Sequence, residues 1–153
     1  MNRGLLIALL CSLSIAQAAE LGKIDGSPIK LGDTVENVKQ VLNTPLDPEK
    51  DESPIAALPS TTTSIHLKTR GIWVTFNTAR AVRAVRFDAP FKDAIKGVRI
   101  GDSQEKTIEK LGEPVKKTAQ GANTNLVYYP DDVTTMSIVI SRENGVETIF
   151  LSK

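Results

Sequence analysis

The sequence predicts an α+β fold: two αβββ repeats, each an antiparallel meander sheet with one helix packed on one face. Three observations predict it. A Gly-Asp-x-x-Glu motif occurs twice, at an offset of 69 residues. Each copy opens a short run with helical spacing that ends at a proline, and each is followed by stretches that alternate with the period of a strand. The repeats occupy 19–88, with a long loop at 47–60, and 98–153, joined by a connector at 89–97.

The first residues predict a leader. Arg3, an apolar run from Gly4 to Ala16 and the small-x-small site Ala16-Gln17-Ala18 read as a signal peptide over 1–18, cut near Ala18. The run is too short, and too soon followed by Glu20 and Lys23, to be a membrane span. Leu10 precedes Cys11 where lipid attachment wants a small residue. The expectation is a periplasmic or secreted protein.

Composition narrows the function classes. The chain has 153 residues, with 19 basic and 18 acidic side chains. Arg3 leaves with the leader, so the remaining charges balance and exert no general pull on nucleic acid or anionic lipid. The one cysteine, Cys11, also leaves with the leader, so the mature chain must hold by packing alone. One histidine, His66, remains.

The first helix should start at Gly32-Asp33-Thr34-Val35-Glu36. Gly32 allows a tight approach, Asp33 or Thr34 can cap the first free amides, and Glu36 can close a capping box from Asp33. Val35, Val38, Val41 and Leu42 then share a helical face, and Pro45 stops the helix. The second copy repeats this as Gly101-Asp102-Ser103-Gln104-Glu105, with Leu111, Gly112 and Pro114 in place of the earlier leucine and proline. Asp33, Glu36, Asp102 and Glu105 read as parts of helix starts rather than as paired catalytic acids.

Strands are expected at 62–68, 72–77 and 82–88, then at 125–129, 134–142 and 146–152, with Glu143-Asn144-Gly145 as a hairpin turn. Ile72, Val74 and Phe76 align with Met136, Ile138 and Ile140 at an offset of 64. The longer loop at 47–60 accounts for the difference. It is rich in Pro, Asp, Glu and Ser and free to carry function.

These motifs resemble the tandem-repeat fold of β-lactamase inhibitor proteins and the single-copy outer-membrane assembly lipoproteins of the SmpA/OmlA type. The resemblance rests on Gly32-Asp33…Glu36…Leu42…Pro45 and Gly101-Asp102…Glu105…Leu111…Pro114, and covers about 29–153. It implies a non-enzymatic protein that binds other proteins. The inhibitor proteins usually carry disulfides and the lipoproteins a lipidated cysteine. This mature chain has neither, so the fold transfers better than either function.

A meander covered by a helix has one buried and one open side, and alternation sorts its residues between them. If Ile72, Val74 and Phe76 face the helix, Trp73 faces away. The same parity places His66, Lys68, Arg86, Tyr128 and Phe150 on the open side. Aromatic residues and Arg are favoured in desolvated protein contacts, so these six are the candidate partner-binding residues. Trp73, Tyr128 and Phe150 also fit a second core where the copies meet, and parity alone does not separate the two. The arginines at 80, 83 and 86 divide between faces and read as solvated or ion-paired.

Chemistry finds little support. His66 lies in an expected strand with no nucleophile motif beside it. One histidine without cysteine is too thin for zinc, no calcium loop occurs, and no phosphate-cradling glycine pattern is present. Asp131-Asp132 reads as a turn. No catalytic residue, metal or cofactor is expected. The expectation is a non-enzymatic protein-binding module whose partner is a protein of the periplasm or envelope. An inhibitor of an envelope or secreted enzyme comes first, an assembly or scaffold factor is the alternative, and a small-ligand carrier comes third.

Overall fold

Both Gly-Asp motifs lead the chain into a helix, and they do so with matching bonds. The computed structural model describes residues 22–50 and 62–153. Asp33 Oδ2 accepts the Lys30 N–H at 2.9 Å, and Asp102 Oδ2 accepts the Arg99 N–H at 2.8 Å. Gly32 N–H donates to Val82 O and Gly101 N–H to Val146 O, both at 2.8 Å. The hydroxyls of Thr34 and Ser103 then cap the helices, accepting from Asn37 N–H at 3.2 Å and Lys106 N–H at 3.3 Å. The aspartates therefore close the loop before each helix while the next residue caps it. With Thr34 as the cap, Glu36 stands one position too early to complete a capping box.

The helices are short: α1 spans Val35–Val41 and α2 spans Gln104–Leu111, 7 and 8 residues. Val35, Val38 and Leu42 are buried, but Val41 is 47% exposed. At 100° per residue Val41 lies well off the stripe through the other three, and two turns of helix bury no wider a face. Gly112 takes a positive φ of 80° just past α2, which is where a C-terminal glycine belongs.

The remaining elements are strands: β1 (Glu49–Lys50), β2 (Thr63–Leu67), β3 (Ile72–Phe76), β4 (Val82–Asp88), β5 (Lys116–Gln120), β6 (Asn123–Tyr128), β7 (Thr135–Ser141) and β8 (Gly145–Ser152). They form one sheet in the order β1-β2-β3-β4-β8-β7-β6-β5, with every neighbouring pair antiparallel. The expected α+β class of two αβββ repeats is thereby overturned. The described residues are mainly β, an eight-stranded antiparallel sheet with two short helices on it. Helix spacing in the sequence is real but stops early at Pro45 and Gly112, while strands carry most of the apolar residues.

Two strands have no signature in the sequence. Glu49–Lys50 pairs with β2 inside the stretch expected as a loop. Lys116–Gln120 is polar and almost wholly exposed, and it becomes a strand through its pairing with β6 rather than through any alternation of its own. Lysines on such an edge discourage further strand addition. The expected leader over 1–18 and loop residues 51–60 lie outside the described residues. Among those described, no helix is long and apolar enough to cross a membrane.

The core lies between one sheet face and a cover of helices and loops. Ile65, Val74, Phe76, Val85, Phe87, Ile138, Ile149 and Leu151 supply the sheet side. Val35, Val38 and Leu42 meet them from α1, with Ile24, Ile29, Leu31, Phe91, Ile95 and Val98 from the loops. Burying this much branched apolar surface is the main force holding a chain that has no described crosslink.

Candidate functional site

With one face committed to the core, period-two alternation sends the other residues of each strand outward. The observed registers align four of them in one row across the middle of the sheet. His66 on β2 is opposite Trp73 on β3, Trp73 is opposite Arg86 on β4, and Arg86 is opposite Phe150 on β8. The row continues through Ser137 on β7 and Val127 on β6 to Lys116 on β5. His66, Trp73, Arg86 and Phe150 are all half-buried. Direct cross-strand neighbours have Cβ atoms about 5 Å apart, so these side chains form a continuous strip.

Two of the six candidates lie elsewhere. Tyr128 is paired with Met136 and points to the helix side, where it is only 7% exposed and its hydroxyl donates to Gly112 O at 3.2 Å. Burial raises its phenol pKa, with Glu113 adding to the effect. Parity carried over from the other strands misplaces it. Val127 is in fact the outward residue, because β6 sets Leu126 and Tyr128 toward the core. Lys68 begins a 3-10 turn at Lys68–Arg70, past the end of β2, and is exposed beside the sheet rather than on it.

The strip has a definite geometry. His66 stacks on Trp73 with ring centroids 4.0 Å apart and planes inclined by 22°. Burial lowers the His66 pKa against the pull of Asp88, and Lys68 and Arg86 lower it further. A neutral imidazole is thus favoured on the indole. Arg86 Nη2 pairs with Asp88 Oδ2 at 2.8 Å. Trp73 Nε1 and Arg86 Nε are buried donors with no acceptor among the described residues. Buried donors are rarely left unpaired, and each such case calls for an explanation.

Asp88 joins the strip although sequence reasoning does not single it out. It follows Arg86 by two residues on a strand, so alternation alone sets it on the same side. Beside the strip the outward residues are small: Ser64, Thr75, Ala84, Ser152 and Thr135 are aligned in the next row. Thr75 and Ala84 are 2% and 1% exposed. The outer face is therefore covered at these two positions, although their side chains are small.

Grooves occur away from the strip. A polar one of about 520 Å³ lies at the hairpin tips, lined in part by Ser103, Glu105, Asn123, Arg142 and Asn144. Among the described residues, no three His, Cys, Asp or Glu side chains come together as a metal site would require.

No protein-family profile matches the chain, and no curated protein matches it. A solved structure, that of a DUF4309 family protein (YjgB) from Bacillus subtilis, is similar over 87% of this chain and 82% of its own. The identity is 12% and the TM-score 0.46, so the likeness carries no argument.

Proposed function

We propose that the protein is an exported, non-enzymatic module that binds another protein of the periplasm or envelope through the outer face of its sheet. The observation that carries this reading is the in-register strip His66–Trp73–Arg86–Phe150. An aromatic pair, an arginine and a second aromatic, side by side and half-buried, make the composition that protein contacts favour. Tryptophan buries much area for little lost freedom, arginine adds directed hydrogen-bond donors, and a small number of such residues carries most of the binding energy. Blocking an enzyme's cleft is the form of binding this reading puts first, with Trp73 and Phe150 as the anchors.

Affinity capture with the mature chain, followed by direct titration of the captured protein, tests the reading. Trp73→Ala should weaken binding by about 2 kcal/mol or more, and Phe150→Ala should act in the same direction. A folded Trp73→Ala variant that binds with unchanged affinity would remove the strip from the interface. An enzyme whose activity falls on binding supports inhibition, whereas recovery of a multi-protein assembly supports a scaffold.

A further inference from the structure

We infer that the strip receives a carboxylate, an Asp or Glu side chain of the bound protein, at Trp73 Nε1 and Arg86 Nε. The inference rests on the protein-binding role proposed for this face and specifies which chemistry the partner brings.

The two donors belong to directly opposed residues on β3 and β4. Neither has an acceptor among the described residues. A buried donor without an acceptor costs the fold its desolvation, and that cost is recovered when an acceptor arrives. Donors on two opposed residues can serve the two oxygens of one carboxylate, and hydrogen bonds to a charged acceptor are the stronger kind.

Charge points the same way. The groups acting on His66, at one end of the strip, are Asp88, Lys68 and Arg86, two permanent cations against one anion. Asp88 occupies Arg86 through Nη2 at 2.8 Å and leaves Nε untouched. One further negative charge would balance the group. A doubly charged phosphate would set its second charge against Asp88, so a singly charged carboxylate is the better fit. Phe150, opposite Arg86 on the other side, gives the pair an apolar wall that strengthens the contact.

Binding requires Arg86 to turn, since both donors are covered. Its side chain is 33% exposed and the ion pair with Asp88 is partly open to water.

The chain has one tryptophan, so its indole N–H gives a single nuclear magnetic resonance signal that reports on this donor alone. The ¹⁵N-labelled mature chain is titrated with acetyl-Gly-Glu-Gly-amide and with the matching Gln peptide. The Glu peptide should move the indole signal to saturation. The Gln peptide, and the Glu peptide against Arg86→Gln, should bind at least about tenfold more weakly. Arg86→Lys, which keeps the charge but loses the Nε donor, serves if the glutamine variant does not fold, and should also be weakened.

Equal shifts with both peptides would overturn the carboxylate site, and so would an indole signal unmoved by either, as expected if ordered water already satisfies both donors. A flat titration together with loss of partner capture in Trp73→Ala would sink this inference and leave the binding face standing. Unchanged capture in Trp73→Ala would remove the face itself.

Discussion

His66 lies flat against Trp73, 4.0 Å between ring centroids, and each is the single residue of its type in the chain. The pair therefore couples one titrating group to one fluorophore. Burial holds the His66 pKa down; Asp88 opposes that, and Lys68 and Arg86 reinforce it. Below the ordinary histidine value of about 6.5 the unfolded chain binds the proton more readily than the folded one. Stability therefore rises with pH across this window. It should be full above about pH 7, fall as the pH drops through about 6.5, and level off once folded His66 is protonated as well. Urea midpoints read by Trp73 fluorescence between about pH 5 and 8 should show this slope, and His66→Gln should remove the part due to this group.

Substitutions at Tyr128 should separate stability from the proposed binding. Tyr128→Phe removes the hydroxyl bond to Gly112 O and should cost about 1 kcal/mol in a denaturant titration, while leaving partner affinity unchanged. Tyr128→Ala should cost on the order of 3 kcal/mol or more, because it also empties part of the core. A loss of affinity in folded Tyr128→Phe would return Tyr128 to the contact surface.

The misplacement of Tyr128 shows where alternation stops being informative. In β3 and β4 the pattern Ile72-Val74-Phe76 and Val85-Phe87 is unambiguous, and it places Trp73 and Arg86 by elimination. At the end of β6 the run Leu126-Val127-Tyr128 is apolar or aromatic at every position, as is Tyr129 just beyond it, so parity has no reference point. Pairing with β7 sets it, through Leu126 opposite Ile138 and Tyr128 opposite Met136. The same dependence on a partner hides β5, whose Lys-Lys-Thr-Ala-Gln has no strand signature of its own. Apolar strands are legible; edges, and the way the strands assemble into one sheet, are not. The α+β expectation weights two helix starts by their clear signals rather than by the few residues that follow them.

Glycine at two turns should give very different responses to alanine. Gly71 has φ 65°, and a Cβ there would lie 2.0 Å from Asp88 O and 2.7 Å from Phe91 N. Gly121 has φ 60° with nothing within 4 Å of the added atom. Gly121→Ala should cost about 1 kcal/mol, the strain of a left-handed backbone alone. Gly71→Ala adds a collision with main chain that cannot yield cheaply, and its loss in thermal or urea unfolding should exceed that of Gly121→Ala several-fold. Equal losses would mean that the β4 end moves aside freely.

Asp131 ties the start of the described chain to the turn before β7. Its Oδ2 accepts Gly22 N–H at 3.0 Å, and its Oδ1 accepts Val133 and Thr134 N–H at 2.9 and 2.7 Å. Burial alone would raise its pKa, but the amide donors outweigh it and the net shift is downward. The stabilisation is therefore present above the ordinary carboxylate value of about 3.9 and disappears as the pH falls through the lower folded value. Asp131→Ala strands these amides and should cost on the order of 2 kcal/mol at neutral pH. The difference from wild type should shrink when the unfolding series is repeated in acid.

β8 is the last of the eight strands among the described residues, yet it sits in the middle of the sheet, joining β4 to β7. Arg86 and Phe150 become neighbours through that join, although more than sixty positions separate them in the chain. A ribosome that has delivered everything up to residue 144 has made Trp73 and Arg86 but not the strand that brings Phe150 beside them. The strip is therefore complete only when β8 closes the seam, and a shorter chain holds its parts without their arrangement.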